Sequence, residues 1–228
     1  MSTRLYLVRH GATVLSAEDR FAGAVDVLLS DEGRDQARRL GVRLATDPLV
    51  AVYASPMKRT METARLAAEP HGLEVTPVDA IREIAHGRWE GMNRKDVEKQ
   101  FKAEYERYEE DPFTFAPVGG ESGLQVTARA LPALLDLVLK HEDERILVVS
   151  HKATIRLLLS SLLGFDPRKY RDRLDQAPAA LNILDFKDVG RARLTLFNDT
   201  SHYTTTEAAL PPIPRGRLSK TWSGTEKV

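Results

Sequence analysis

Apolar residues gather in three short, nearly unbroken runs: Leu5 to Val8, Val50 to Ala54 and Ile146 to Val149. Each ends abruptly in polar residues, at Arg9-His10-Gly11, Ser55-Pro56 and Ser150-His151. Runs of this length without polar alternation predict strands buried on both faces of a mostly parallel sheet. Between them the apolar positions fall at helical spacing. Ser30 or Asp31 can cap a helix to about Ala45, with Ala37, Leu40 and Leu44 on one face. Ser55 followed by Pro56 predicts a capping hydroxyl and a proline in the first turn, opening a helix that runs to about Ala68 and stops at Pro70 and Gly72. Alternation of strand and helix predicts an α/β sandwich with helices on both faces of the sheet.

The middle and the end read differently. Asn93 to Glu110 is charged and helix-prone, with Val97, Phe101, Tyr105 and Tyr108 three or four apart. Asp111 to Gly123 is rich in Pro and Gly and predicts a loop before a helix from Leu124 to Lys140, which Pro132 kinks or starts late. Ala180 to Phe186 and Ala192 to Phe197 read as two late strands, compatible with a hairpin. The layout expected is one catalytic domain over residues 1–210, with 93–123 as a surface excursion over the site. The polar tail 211–228 is expected to be extended or disordered.

Composition narrows the chemistry. Lys plus Arg and Asp plus Glu stand at 33 each, so the whole molecule offers no general attraction to nucleic acid or an anionic membrane. With no cysteine, disulfides, thiolate metal sites and a cysteine nucleophile are excluded. The start of the chain has the pattern of neither a signal peptide nor a membrane span, and the expected location is cytoplasmic. A homodimer is compatible with the sequence.

In open α/β sheets ligands collect at the carboxyl ends of the strands. Here those ends carry Arg9-His10-Gly11, Ser55 to Thr60 with Arg59 in a first helical turn, and Ser150-His151. Two arginines, two histidines and two helix N-termini facing one crevice suit a dianionic phosphate. Glu83, in Ile81 to Gly91, supplies an acid able to protonate an alkoxide leaving group. The chemistry these residues suggest is attack by a neutral His10 nitrogen on phosphorus, with Arg9, Arg59 and His151 neutralising charge and water then attacking the phosphohistidine. No carboxylate cluster of the kind magnesium favours is visible, and no cofactor is called for.

In order along the chain, Leu5 to Thr13, Phe21-Ala22-Gly23, Ser55 to Ala64, Glu83 to Gly91, Gly119-Gly120-Glu121-Ser122 and Ser150-His151 resemble the histidine phosphatase, or phosphoglycerate mutase-like, superfamily. The resemblance spans roughly residues 4 to 203. It implies a three-layer α/β/α sandwich around a mostly parallel sheet. It also implies that His10 is phosphorylated, that Arg9, Arg59 and His151 form the phosphate pocket, and that Glu83 donates the proton. Gly87-Arg88-Trp89-Glu90-Gly91 and the Gly-Gly-Glu-Ser run look like the phosphatase branch. Three positions depart from the family's habit: Ser16 for a frequent asparagine, Lys152 for a glycine and His86 for an aromatic. With Gly23, Arg88 and Arg94 they make up the candidate substrate contacts. The expected partner is a small phosphate ester. The rival readings are a cofactor-dependent phosphoglycerate mutase and a catalytically silent member that binds phosphorylated ligands or proteins.

Overall fold

The computed structural model describes residues 2–14 and 20–204; Ser16 and the tail 211–228 lie outside them. Six strands form one sheet in the order β3-β2-β4-β1-β5-β6. They are β1 (Thr3–Arg9), β2 (Ala51–Ala54), β3 (Val75–Pro77), β4 (Arg145–Ser150), β5 (Leu181–Asp188) and β6 (Arg191–Asp199). The first four in spatial order are parallel, and β5 and β6 complete the sheet antiparallel. The sheet is therefore mixed.

The side chains of β1 explain its lack of alternation. Leu5 and Leu7 pack on one face with Ile146 and Val148 of β4, under helices α5 (Gly123–Lys140) and α6 (Lys152–Leu163). Tyr6 and Val8 pack on the other face with Leu147 and Val149, under α1 (Asp31–Leu44) and α2 (Lys58–Ala68). With the period of two, both faces must be apolar because both are covered. Ser30 caps α1 by accepting from the Gly33 N–H at 3.1 Å. Ser122 and Gln125 form a reciprocal capping box at the start of α5. Pro132 sits inside α5, which continues through it.

Several local expectations need correction. Ser55 and Pro56 do not open α2; the helix starts at Lys58, with Met57 in the capping position and no side-chain cap of its own. The Ser55 N–H instead extends the sheet ladder to the Val149 carbonyl (3.1 Å), and Asp26 accepts from the Lys58 N–H at 2.8 Å. A carboxylate remote in sequence thus does the capping. The 93–110 stretch is two helices, α3 (Arg94–Gln100) and α4 (Lys102–Glu110), broken at Phe101. Their apolar positions join Phe21, Trp89 and Phe115 in a separate small core, where Trp89 is wholly buried. A short α7 (Tyr170–Arg173) follows α6. The late hairpin is longer than the apolar runs suggested, because the Asp188 carboxylate closes a tight turn by accepting from the Gly190 N–H. Among the described residues no helix is long and apolar enough to cross a membrane.

Candidate active site

His10 follows the last residue of β1 and is fixed by its backbone. Its N–H donates to the Ser150 carbonyl and its carbonyl accepts from the Ala179 N–H, both at 3.0 Å. Gly11 permits this position: a Cβ there would lie 2.5 Å from the Gly33 carbonyl oxygen. The imidazole Nδ1 lies 2.8 Å from the Gly11 carbonyl oxygen. A carbonyl can only accept, so the Nδ1 atom carries the proton and Nε2 keeps its lone pair. Burial first, then the charges of Arg9 and Arg59, hold this imidazole well below the usual histidine range.

His151 caps α6 without exposure to solvent. Its Nδ1 accepts from Nε of Arg59 at 3.3 Å, which places its proton on Nε2, 2.8 Å from Oγ of Ser55. Its ring stands edge-on to His10 with centroids 5.3 Å apart. Burial, and after it the Arg59 charge, keeps it neutral as well. Arg59 is 2% exposed, and its fork donates to the carbonyls of Val25 (2.7 Å) and Gly23 (3.0 Å). Gly23 is pressed so closely on the 83–90 segment that a Cβ would fall 1.8 Å from the Ile84 carbonyl oxygen. Arg9 donates to the Gln176 carbonyl at 2.6 Å, while its buried Nε has no partner. Burial and the neighbouring Arg156 pull Arg9 down to about 10.

Glu83 overturns one expectation. Its carboxylate accepts from the N–H groups of Ala153 and Thr154 (both 3.1 Å) and from Oγ1 of Thr154 (3.2 Å), in the first turn of α6. Those two amides are therefore taken by protein, as Asp26 takes the first amide of α2. The anion site rests on side chains rather than on open helix N-termini. The same bonds fix the Glu83 carboxyl at the edge of the cavity that holds His10.

That cavity, about 200 Å³, is lined by Arg9, His10, Gly23, Arg59, Glu83, His86 and Lys152 among others. A second hollow of about 330 Å³ shares Gly23 and Glu83 with it and extends past Asp26, Met57, Ala85 and Glu121. Glu83 thus stands between the two. His86 packs edge-on against Phe21 at 4.8 Å, and burial pushes it down to about 3. Lys152 lies 3.3 Å from Asp175. Arg88 and Arg94 are placed elsewhere: Arg88 pairs with Glu104 and lies over Phe101, and Arg94 lies over the Phe21 ring. Both lie against the aromatic cluster of the excursion, and neither is among the residues that line the cavity. Sequence reasoning missed Ser55 as the partner of His151, together with Arg156 and Asp175. Arg156 had a signal in its position one helical turn after Lys152. Among the described residues no group of three or more His, Asp or Glu is gathered to hold a metal ion.

Histidines held neutral by burial make stability depend on pH, His10 and His151 among them. The unfolded chain binds a proton at each near the ordinary value of 6.5, while folded His10 and His151 do not. Stability is therefore present above that value and is lost as pH falls below it. Each histidine is expected to cost about 1 kcal/mol over the first pH unit of that range. Urea unfolding at pH 7.5 and 5.5 measures the loss, and His10→Ala is expected to remove about a quarter of it, because burial also holds His86 and His202 down, to about 3 and about 4.

A model described as the histidine phosphatase superfamily (branch 1) matches residues 5–200. The chain belongs to the histidine phosphatase superfamily. It is 36% identical over 167 residues to phosphoserine phosphatase 1 of Hydrogenobacter thermophilus, covering 73% of this chain and 79% of that protein. It is 32% identical over 201 residues to phosphoglycerate mutase-like protein 4 of Arabidopsis thaliana, covering 87% and 86%. The structure of YhfR from Bacillus stearothermophilus superposes with a TM-score of 0.82 at 30% identity, covering 88% of this chain and 98% of that one.

Proposed function

We propose that this chain is a phosphomonoesterase that hydrolyses a small phosphate ester through a phosphohistidine on His10. The observation that carries the reading is the tautomer of His10. Its Nδ1–H is committed to the Gly11 carbonyl, so the basic nitrogen is Nε2, in a cavity wall shared with Arg9, Arg59 and Glu83. Attack by Nε2 on phosphorus forms the N–P bond as the bond to the ester oxygen breaks, and the Glu83 carboxyl gives that oxygen its proton. Water then attacks the phosphohistidine, returning its proton to Glu83 and releasing inorganic phosphate. Arg9 and Arg59 sit ready to neutralise charge on the equatorial oxygens, where the advantage in phosphoryl transfer lies. His151 holds Arg59 at its Nε and walls off His10 from behind. The scheme calls on no metal. A cytoplasmic location is part of the proposal and fits a chain without cysteine.

The relatives' names support hydrolysis of a phospho-amino acid or phosphoglycerate-type ester. Release of inorganic phosphate from a panel of such esters in EDTA, with and without bisphosphoglycerate, tests the reading. Steady release that bisphosphoglycerate does not stimulate is the expected result. Isomerisation without net release identifies a mutase, and inertness toward every ester identifies a binding protein.

A further inference from the structure

We propose that Lys152 sets the specificity of the site, and that the preferred substrates are phosphate monoesters whose alcohol portion carries a carboxylate. This rests on the phosphatase reading and adds the substrate class to it. Lys152 opens α6 between His151 and Ala153, whose N–H holds one Glu83 oxygen at 3.1 Å. It therefore flanks the acid that would protonate the leaving oxygen, and it lines the His10 cavity. A cation in that place faces the alcohol portion of the ester as well as the phosphoryl group.

The local charge is unbalanced in favour of an anion. Lys152 and Arg156, one turn apart on α6, share a single carboxylate, Asp175, at 3.3 and 3.0 Å. Arg9 adds a third positive charge to Lys152's surroundings from β1. The Asp175 side chain is 63% exposed, whereas those of Lys152 and Arg156 are 31% and 11% exposed. A partner that faces water is readily exchanged, because an exposed ion pair contributes little. Substrate carboxylate can take Lys152 while Arg156 keeps Asp175. The hollow beyond Glu83 mixes its charges, with Arg82 in its wall beside Asp26 and Glu121, and Glu121 is already held by Arg129 at 2.7 Å. A carboxylate is drawn to the Lys152 side, where two cations share one carboxylate. Burial and the charges of Arg156 and Arg9 bring the ammonium down to about 8. Its charge, and the selectivity that depends on it, declines as pH rises past that value; Asp175 and Glu83 are the carboxylates nearby.

Two matched pairs test this: O-phosphoserine against O-phosphoethanolamine, and 3-phosphoglycerate against glycerol 3-phosphate. In each, one member lacks the carboxylate. The wild-type kcat/KM is expected to favour the carboxylated member by about tenfold or more, and Lys152→Met to bring the ratio close to one. Lys152→Arg keeps part of the preference. The wild-type ratio falls as pH rises past about 8, and the Lys152→Met ratio does not change with pH. A merely structural lysine slows both members equally, so an unchanged ratio in Lys152→Met overturns the proposal. Hydrolysis of p-nitrophenyl phosphate with no wild-type preference in either pair also overturns it and leaves the phosphatase reading standing. Failure to hydrolyse even p-nitrophenyl phosphate overturns both.

Discussion

Replacing His10 by alanine lowers kcat for phosphate release by about 10⁴-fold or more, the scale seen when an enzyme loses its nucleophile. The fold survives the change. What His10 gives the architecture comes from its backbone, through the bonds to Ser150 and Ala179, and alanine keeps both. The side chain contributes one hydrogen bond, to the neighbouring Gly11 carbonyl, in a place where burial and two arginines oppose its charge. Its removal widens the cavity beside the Gly11 carbonyl, where water can replace the imidazole as donor. The comparison of interest is therefore kcat against the urea midpoint at pH 7.5. A large loss in kcat with a midpoint close to wild type is the expected pair of results. A histidine present only for packing gives the reverse, a lowered midpoint with activity largely retained.

Glu83→Gln is expected to slow hydrolysis of alkyl phosphates by about 10²- to 10⁴-fold and that of p-nitrophenyl phosphate far less. An alkoxide needs a proton to depart, whereas p-nitrophenolate leaves without one. The substitution also disturbs structure, since Glu83 accepts from the Ala153 and Thr154 N–H groups and from the Thr154 hydroxyl. A glutamine presents one acceptor and one donor to those three donors and is expected to cost about 1–2 kcal/mol in stability. The leaving-group comparison separates the two effects, because a misplaced α6 slows both esters alike. Equal slowing across leaving groups removes Glu83 from the acid role.

The strand ends were legible because burial on both faces leaves so plain a pattern. Leu5 to Val8 can alternate between two cores only if helices cover both sides, and the polar residues that follow must then emerge at the carboxyl end of the sheet. The gathering of His10, Arg59 and Glu83 at one cavity follows from that layout. What escaped the sequence were relations between remote residues. Ser55 looked like a helix cap because a serine before a proline has that local chemistry. Its hydroxyl instead meets His151, 96 residues away. Nothing local distinguishes the two outcomes. In the same way the first turns of α2 and α6 looked open to phosphate, and only the folded chain brings Asp26 and Glu83 onto their amides. β3 was missed because Val75–Pro77 is three residues long and mostly exposed, too short for any periodicity. The ring contacts of Arg88 and Arg94 were not legible for a related reason. Periodicity marked Val97, Phe101, Tyr105 and Tyr108 as apolar, but not that their core would take up the nearby guanidinium groups.

The central claim is that the phosphoryl group passes through one nitrogen of one residue. Rapid mixing with p-nitrophenyl phosphate, whose leaving group departs readily, makes breakdown of the intermediate the slow step. Quenching in alkaline denaturant then preserves an acid-labile phosphohistidine for peptide mass spectrometry, with phosphorus NMR to distinguish the ring nitrogens. One phosphoryl group on His10, carried by Nε2 because Nδ1–H is held by the Gly11 carbonyl, is the predicted result. A phosphoryl group on another residue, or on Nδ1 of His10, or turnover with no phosphorylated chain at any time, would contradict the account.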